Sequence, residues 1–227
     1  MNHLPTDDAA TLAEPENEIA SPARRQWLAL GAACGTALLL NARPAHATSS
    51  GDAHALRFLE EMELMQSDFF ARVSASSAYD SMEPHEREVF NLIAMQDKEH
   101  ATWFRLARTK LGVAEFDRTY APNTSSSRPP RLFRFPPSAF ATRKKLFPFA
   151  ISLKDTAVGA YHAMVTRSRD DEMIQALAAL AGIEGRHAAT LRETSGVNPL
   201  PSAFEAAISQ QQAARTFASY GFKGNSQ

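Results

Sequence analysis

The sequence predicts an all-α protein: an antiparallel four-helix bundle with a long crossover between its second and third helices and a short C-terminal helix. Three observations predict this class. Four long segments repeat apolar residues at the three- and four-residue spacing of a helix. Runs of Val, Ile and Thr typical of strands are missing. The last two long segments are joined by a few polar residues, which requires antiparallel neighbours, whereas the Pro- and Ser-rich stretch before them is too long for a hairpin.

The N-terminus is expected to be an export signal rather than part of the fold. An arginine pair precedes an apolar run of fourteen residues, Trp27–Leu40, and Ala45-His46-Ala47 forms a small-residue cleavage site. A membrane anchor is the alternative, but the run is shorter than the ~20 residues that a spanning helix needs. The predicted divisions are the signal over 1–47, the four-helix bundle over 48–200, and the C-terminal helix with a tail over 201–227.

The stretch RRQWL, Arg24–Leu28, resembles the twin-arginine export motif, with Trp where Phe is usual. That route carries folded proteins, so the resemblance implies a periplasmic or other extracytoplasmic location. Cys34 lies inside the signal, and the expected mature chain therefore has no cysteine for a disulfide or a thiolate metal site. Its 21 basic and 20 acidic residues give no indication of a nucleic-acid or membrane partner.

Each predicted helix has its own boundary signals. Ser81-Met82-Glu83 precedes a proline at the start of the second helix, and Gly112 follows its end. Pro148 lies inside the third segment, so its regular helix is expected to start near Pro148, after a kinked or separate piece. The four helices are expected over about Asp52–Val73, Pro84–Leu111, Pro137–Ser168 and Asp170–Thr194, with a shorter fifth helix after Gly196.

All four long helices carry polar residues in the middle of their apolar stripes. One such residue is weak evidence because a helical register is easily misread, but the same feature in four helices is harder to dismiss. Unpaired charges in a bundle interior would cost several kcal/mol each, so a metal ion or a closed salt-bridge network is expected to hold them together. The residues are Glu63 in the first helix, Asp97 and His100 in the second, Lys154 in the third, and Glu184 and His187 in the fourth.

With these residues the chain resembles the ferritin-like di-metal carboxylate proteins, in which two helices each supply one Glu and the other two each supply a Glu-x-x-His pair. The helix order and the place of the crossover agree with that family. The stretches LEEMELMQSDFF, LKDTAVGAYHAM, IEGRHAATLR and PSAFEAA resemble, more narrowly, a bacterial group of exported ferritin-like proteins. The resemblance covers about Asp52 to Ala207. It implies a ferritin-like bundle with metal ligands at Glu63, His100, Glu184 and His187.

Two positions depart from the family pattern. Asp97 stands where a Glu is implied, which shortens its reach by about 1.5 Å, one carbon–carbon bond. Lys154 stands where the third-helix Glu is implied, and an ammonium repels a metal ion instead of binding it. We expect Lys154 to face the carboxylates and to take the place of one ion, leaving a charge that suits a single divalent ion. In the alternative orientation Lys154 points outward and Asp155 enters the core as a substitute ligand.

Other residues near the stripes receive a structural interpretation. Tyr161 is expected to be a core tyrosine, with a redox-active neighbour of the centre as the alternative. Gln66 is expected to make an ordinary buried polar contact, with a hydrogen bond to a ligand as the alternative. Glu60, Glu61 and Glu99 lie off the stripes and are expected to be solvated.

Two functions compete. In the first, an exported protein binds one iron or manganese ion and acts in iron or oxidative-stress handling; enzymatic activity stays undecided, and the missing Glu argues against an efficient ferroxidase. In the second, Lys154 replaces the metal by salt bridges, and the bundle has a structural or interaction role. Nothing in the sequence supports a third reading, a storage cage. The expected partner is a metal ion, and a homodimer is left open. The ligands in the first case are Glu63, Asp97, His100, Glu184 and His187.

Overall fold

The computed structural model describes residues 50–113, 133–203 and 205–222. Within these ranges the chain forms α-helices and one 3-10 helix but no strand, which confirms the predicted class. The expected signal over 1–47 and most of the expected crossover lie outside them. The helices are α1 (Ser50–Val73), α2 (Ser77–Asp80), α3 (Pro84–Lys110), α4 (Arg143–Val165), α5 (Asp171–Ser195) and α6 (Gln210–Ala218), and the 3-10 helix is Pro137–Phe140.

The four long helices form two antiparallel pairs, α1 with α3 and α4 with α5. In the first pair, Phe70 near the end of α1 packs against Phe90 near the start of α3. Helices α3 and α4 run in the same direction, because Phe90 packs on Phe147 and Phe104 packs on Tyr161. Two successive helices that run in the same direction require a long connection between them, in agreement with the predicted crossover.

Local signals set the helix boundaries close to where they were predicted. Glu83 and Glu86 form a capping box at the start of α3. The Asp170 side chain accepts the backbone N–H of Met173 at 2.8 Å and caps α5. Gly196 ends α5 in the left-handed conformation at φ +80°, which glycine adopts without steric cost.

The predicted start of the third helix is wrong. Helix α4 begins at Arg143 instead of near Pro148, and the separate piece before it is the 3-10 helix. Pro148 lies in the second turn and its side chain is exposed. A proline there removes a single backbone donor near a helix end, where the ring can point to solvent, so α4 tolerates it.

The C-terminal helix is confirmed but shorter than the predicted segment. The segment before α6, residues 205–209, has no regular secondary structure and crosses α4 at Gly159, whose carbonyl accepts the backbone N–H of Ile208 at 3.1 Å. Ala213 and Phe217 of α6 are fully buried. No helix in the described ranges is both long enough and apolar enough to span a bilayer.

Two apolar layers enclose the middle of the bundle. Every one of their residues stands seven positions from Glu63, Asp97, Lys154 or Glu184, and every one is buried. Seven residues are about two turns, so each layer repeats the same face of all four helices. The polar residues therefore sit in a region of low dielectric. One layer is Phe70, Phe90, Phe147 and Leu191, and the other is Leu56, Phe104, Tyr161 and Leu177.

Candidate metal centre

Lys154 points into the bundle, as predicted. Its side chain is fully buried, and Nζ donates to Asp97 Oδ1 at 2.6 Å and to Glu184 Oε2 at 2.9 Å. The ammonium also lies 5.0 Å from the ring centroid of Phe70. The alternative orientation is wrong, because Asp155 is exposed and accepts a hydrogen bond from Arg192 at 2.5 Å.

Each of the three carboxylates of the centre has a hydrogen-bond donor for only one of its two oxygens. Glu63 Oε1 accepts from the Tyr161 hydroxyl at 2.5 Å and from Gln66 Nε2 at 3.3 Å, while Lys154 holds one oxygen of Asp97 and one of Glu184. The second oxygen of each carboxylate is buried without a hydrogen-bond donor. Buried polar atoms are rarely left in this state, so each of these oxygens needs a partner.

Two histidine rings complete the group. His100 Nδ1 lies 3.2 Å from Glu184 Oε1 and 3.5 Å from Glu63 Oε2. His187 Nδ1 lies 3.5 Å from Glu184 Oε1 and 3.7 Å from Asp97 Oδ1. Neither Nδ1 has hydrogen-bond geometry with these oxygens, so both are unpartnered buried atoms. On its other side, His187 Nε2 meets Gln96 Oε1 at 2.5 Å.

These donor atoms fit one divalent ion. One ligand atom from each of Glu63, Asp97, His100 and Glu184 lies within 4.8 Å of the others, and His187 Nδ1 borders the same group. Oxygen and nitrogen ligands lie about 2.0–2.2 Å from such an ion, so opposite ligands are about 4.4 Å apart and a small closure suffices. All five residues predicted as ligands are thus brought together in the structure.

Charge and burial set the protonation of the carboxyl groups. Burial by itself raises the pKa of Glu184, but Lys154 and His100 outweigh it and hold that pKa well below its ordinary range. Burial raises the pKa of Asp97 to about 8 against the attraction of Lys154. For Lys154, burial lowers the pKa, yet the neighbouring carboxylates raise it above its ordinary range and keep the ammonium charged.

The two histidines titrate in opposite directions. Burial lowers the pKa of His100, but Glu184 and Glu63 reverse this and raise it to about 10. Burial, reinforced by the charge of Lys154, lowers the pKa of His187 to about 4. At neutral pH and without an ion, His100 is therefore a second cation beside Lys154, and His187 is neutral.

Two residues that the sequence did not assign to the centre belong to its surroundings. Tyr161 was expected to be a core tyrosine, and its hydroxyl partner is the candidate ligand Glu63. Gln96, next to Asp97 and half-buried, was not singled out because it lies off the apolar stripe. Gln96 adjoins the candidate ligand Asp97 in the sequence, and this position was the available signal. Gln66 makes the expected buried polar contact, and its partner is the candidate ligand Glu63.

The expectation that Glu60 and Glu61 are solvated is wrong, whereas Glu99 is exposed as predicted. Glu60 is fully buried and accepts from Arg108 Nε at 2.6 Å, and Glu61 is 3% exposed. The buried face of α1 is thus wider than its apolar stripe, because an arginine of α3 supplies a charge partner inside the bundle.

The comparisons with known proteins agree with this architecture. The family model described as a ferritin-like domain matches residues 51–197. The match runs from the first turn of α1 to just beyond α5 and contains all six residues of the centre. No curated protein and no solved structure matches the chain. Because the match spans more than half of the sequence, the chain belongs to the ferritin-like domain family.

Proposed function

We propose that this protein binds a single divalent ion, iron or manganese, and that Lys154 occupies the place of a second ion. The observation that carries the proposal is that Lys154 binds some of the buried ligand atoms, while others have no hydrogen-bond partner. Lys154 holds one oxygen of Asp97 and one of Glu184, and the other oxygens of these residues have no donor. The unpartnered oxygen of Glu63 and two unpartnered imidazole nitrogens face the same group.

The charges support one ion rather than two. Glu63, Asp97 and Glu184 carry three negative charges when ionised, and Lys154 returns one positive charge, so one divalent ion balances the remainder. Mixed carboxylate and imidazole donors suit iron and manganese. When bound, such an ion supplies one-electron redox chemistry. The protein's residues hold it in place, and the apolar layers above and below limit the access of water.

Metal content tests the proposal directly. The protein is purified after expression with iron or manganese, desalted and measured by elemental analysis, with about one ion per chain as the expected result. Glu63→Gln should lower the occupancy severalfold, because it replaces a charged ligand by a neutral amide. Glu99→Gln is the matched control, because Glu99 is exposed beside His100, and its occupancy should equal that of the wild type. A wild-type occupancy near zero under all conditions would refute the proposal.

A charge reversal at residue 154 tests the role assigned to the lysine. Lys154→Glu should raise the occupancy from about one ion per chain towards two, because a fourth carboxylate then replaces the ammonium. Lys154→Met is the comparison, since it removes the charge without adding a ligand and should leave a single ion. An unchanged occupancy in the Glu variant would count against Lys154 as the stand-in for an ion.

A metal-free scaffold is the second candidate function, and one observation favours it. Without an ion the centre already contains two cations, Lys154 and protonated His100, next to Glu63 and Glu184. Such a network neutralises much of its own charge and would serve a structural or interaction role. Under this function, the elemental analysis should find no metal, and Glu63→Gln should change the stability of the fold only.

We further propose that the protein is exported in the folded state and acts in iron or oxidative-stress handling. The export proposal is supported by the arginine pair, the apolar run and the cleavage site within residues 1–47. In a bacterium with a twin-arginine route, replacing Arg24 and Arg25 by lysine should retain the chain in the cytoplasm. The activity proposal is supported only by the donor set. Slow Fe(II) oxidation or peroxide consumption, lost in Glu63→Gln, is its expected signature.

A further inference from the structure

We propose that Gln96 is a positioning residue that holds His187 as the tautomer with hydrogen on Nε2, so that the Nδ1 lone pair faces the ion. This inference rests on the proposed function and deepens it. Gln96 lies on α3 and His187 on α5, so the contact joins two helices beside the centre. Gln96 is not one of the candidate ligands and acts through the ring that it contacts.

The geometry at Nε2 fixes the direction of the hydrogen bond. Gln96 Oε1 lies 2.5 Å from His187 Nε2, and a carbonyl oxygen can only accept. With the amide in this orientation, the ring nitrogen carries the hydrogen. A neutral imidazole has one N–H, which leaves Nδ1 of His187 with a lone pair.

The surroundings of Nδ1 indicate which kind of partner this lone pair would bind. The nearest oxygens, Glu184 Oε1 at 3.5 Å and Asp97 Oδ1 at 3.7 Å, belong to carboxylates and are acceptors as well. Asp97 Oδ1 already accepts from Lys154 Nζ, whereas Glu184 Oε1 has no hydrogen-bond donor. The Nδ1 lone pair therefore faces a buried oxygen that it cannot satisfy, and a cation between the two atoms would satisfy both. Gln96 thus stabilises the one tautomer that is unfavourable beside two carboxylates and favourable beside a metal ion.

His100 provides the internal contrast. Among the described residues it makes contacts through Nδ1 and its ring face, and no side chain holds its Nε2. Its side chain is 11% exposed, compared with 7% for His187 and 0% for the three carboxylates. The two candidate imidazole ligands are therefore unequal: His187 is fixed from behind, and His100 is the one that can turn.

Glutamine suits this role better than a carboxylate would. It offers the same acceptor oxygen to the ring, but it adds no fourth negative charge near the three carboxylates. Outer hydrogen-bond partners of metal-bound histidines typically change metal affinity by about 10–100-fold when they are removed. Gln96→Leu, which keeps most of the volume and removes the acceptor, should therefore weaken Mn²⁺ binding by a factor in that range.

Two measurements test the inference. In metal-free wild-type protein labelled with ¹⁵N-histidine, long-range ¹H–¹⁵N NMR should show the hydrogen of His187 on Nε2. In Gln96→Leu the Nδ1–H form should appear and Mn²⁺ affinity should fall as stated, whereas Gln96→Glu retains an acceptor and should keep the wild-type tautomer. Met95→Leu, on an exposed neighbour, is the matched control and should change neither readout.

The outcomes separate this inference from the proposed function. An Nδ1–H form of His187 in the wild type, or a Gln96→Leu variant that keeps both the tautomer and the Mn²⁺ affinity, overturns the role of Gln96 even if the wild type binds metal. Failure of the folded wild type to bind Mn²⁺ overturns the proposed function, while the NMR measurement still decides the tautomer. Melting temperatures of the variants establish that each one is folded.

Discussion

At the residue scale, the centre pairs two cationic side chains with three carboxylates inside an apolar shell. Lys154 and His100 approach the carboxylates from different helices. The two side chains differ in the conditions under which they lose their positive charge. The pKa of Lys154 lies above its ordinary range, so its ammonium persists throughout the physiological pH range. The pKa of His100 is raised to about 10, but its proton occupies the nitrogen that an ion would take.

Metal binding should therefore depend on pH. Between pH 6 and 8, His100 is protonated in the metal-free protein because that interval lies below its pKa of about 10. An ion must displace this proton, so affinity rises with pH, at least about tenfold per unit when one proton is released. Isothermal titration with Mn²⁺ at several pH values measures the slope. His100→Gln should reduce the slope to the part that comes from Asp97, whose pKa of about 8 lies at the top of this interval. A pH-independent wild type would contradict the prediction.

The residues of the centre were predictable where the sequence of a single helix contained the signal. Glu63, Asp97 and Lys154 interrupt apolar stripes, and that interruption is visible in one helix at a time. Gln96 and Tyr161 have roles that exist only across helices, because the partner of each is on another element. The residue pattern of one helix contains no information about a contact with a residue on another helix.

At the element scale, one ion pair ties three helix ends together. Glu86 in the first turn of α3 accepts from Arg143 Nε at 2.6 Å, and Arg143 also donates to the carbonyl of Thr194 near the end of α5 at 3.3 Å. Burial raises the pKa of Glu86, but Arg143 and the backbone N–H of Glu83 reverse the shift and lower it below the ordinary value.

Glu86→Gln should destabilise the fold at pH 7 by about 1–2 kcal/mol, at the low end for charged hydrogen bonds because Arg143 is partly exposed. The folded-state pKa of Glu86 is depressed, so this contribution is complete above the unfolded-state pKa and is lost as pH falls through the folded-state pKa. Urea unfolding of both proteins at pH 7 and in the acid range measures it. A difference that stays constant with pH would contradict the assignment.

Two glycines inside long helices should respond to alanine with opposite signs. At Gly159 an added Cβ would lie 2.9 Å from Ile208 Cγ1 and 3.0 Å from the backbone oxygen of Ala206, so the crossing segment must move. Gly159→Ala should cost about 1–3 kcal/mol. At Gly182 the nearest atom is 3.7 Å away, on the flexible end of Arg186, and Gly182→Ala should stabilise the fold by up to about 1 kcal/mol. Chemical denaturation of the two variants checks the contrast.

At the scale of the whole molecule, the bundle and its centre should be thermodynamically linked. An ion that binds only the folded chain stabilises it by about 2.7 kcal/mol at a hundredfold excess over Kd, which raises Tm by about 5–10 °C for a chain of this size. Calorimetry with and without Mn²⁺ measures the shift, and a chelator should reverse it. Glu99→Gln should keep the shift and Glu63→Gln should lose most of it. No shift in the wild type would support the metal-free scaffold.

The fold was predictable in outline because its strongest determinants are periodic. The α1, α3 and α5 boundaries agree with the predicted segments to within two residues. Caps, a proline and a glycine mark those of α3 and α5. The start of α4 and the extent of α6 were not predicted correctly, because both depend on packing against distant parts of the chain. Helix α6 begins at Gln210, after the preceding segment has crossed Gly159, and the Ser209 cap was the local signal for that start.

The buried lysine has a consequence at the level of the gene. Codons for lysine and glutamate differ only in their first base, so a single A-to-G transition would convert residue 154 into the glutamate of the proposed two-ion centre. Under the proposed function, a one-ion centre and a two-ion centre therefore differ by one nucleotide and share the same surrounding layers. Natural variants at this codon would be a direct record of selection on the number of ions.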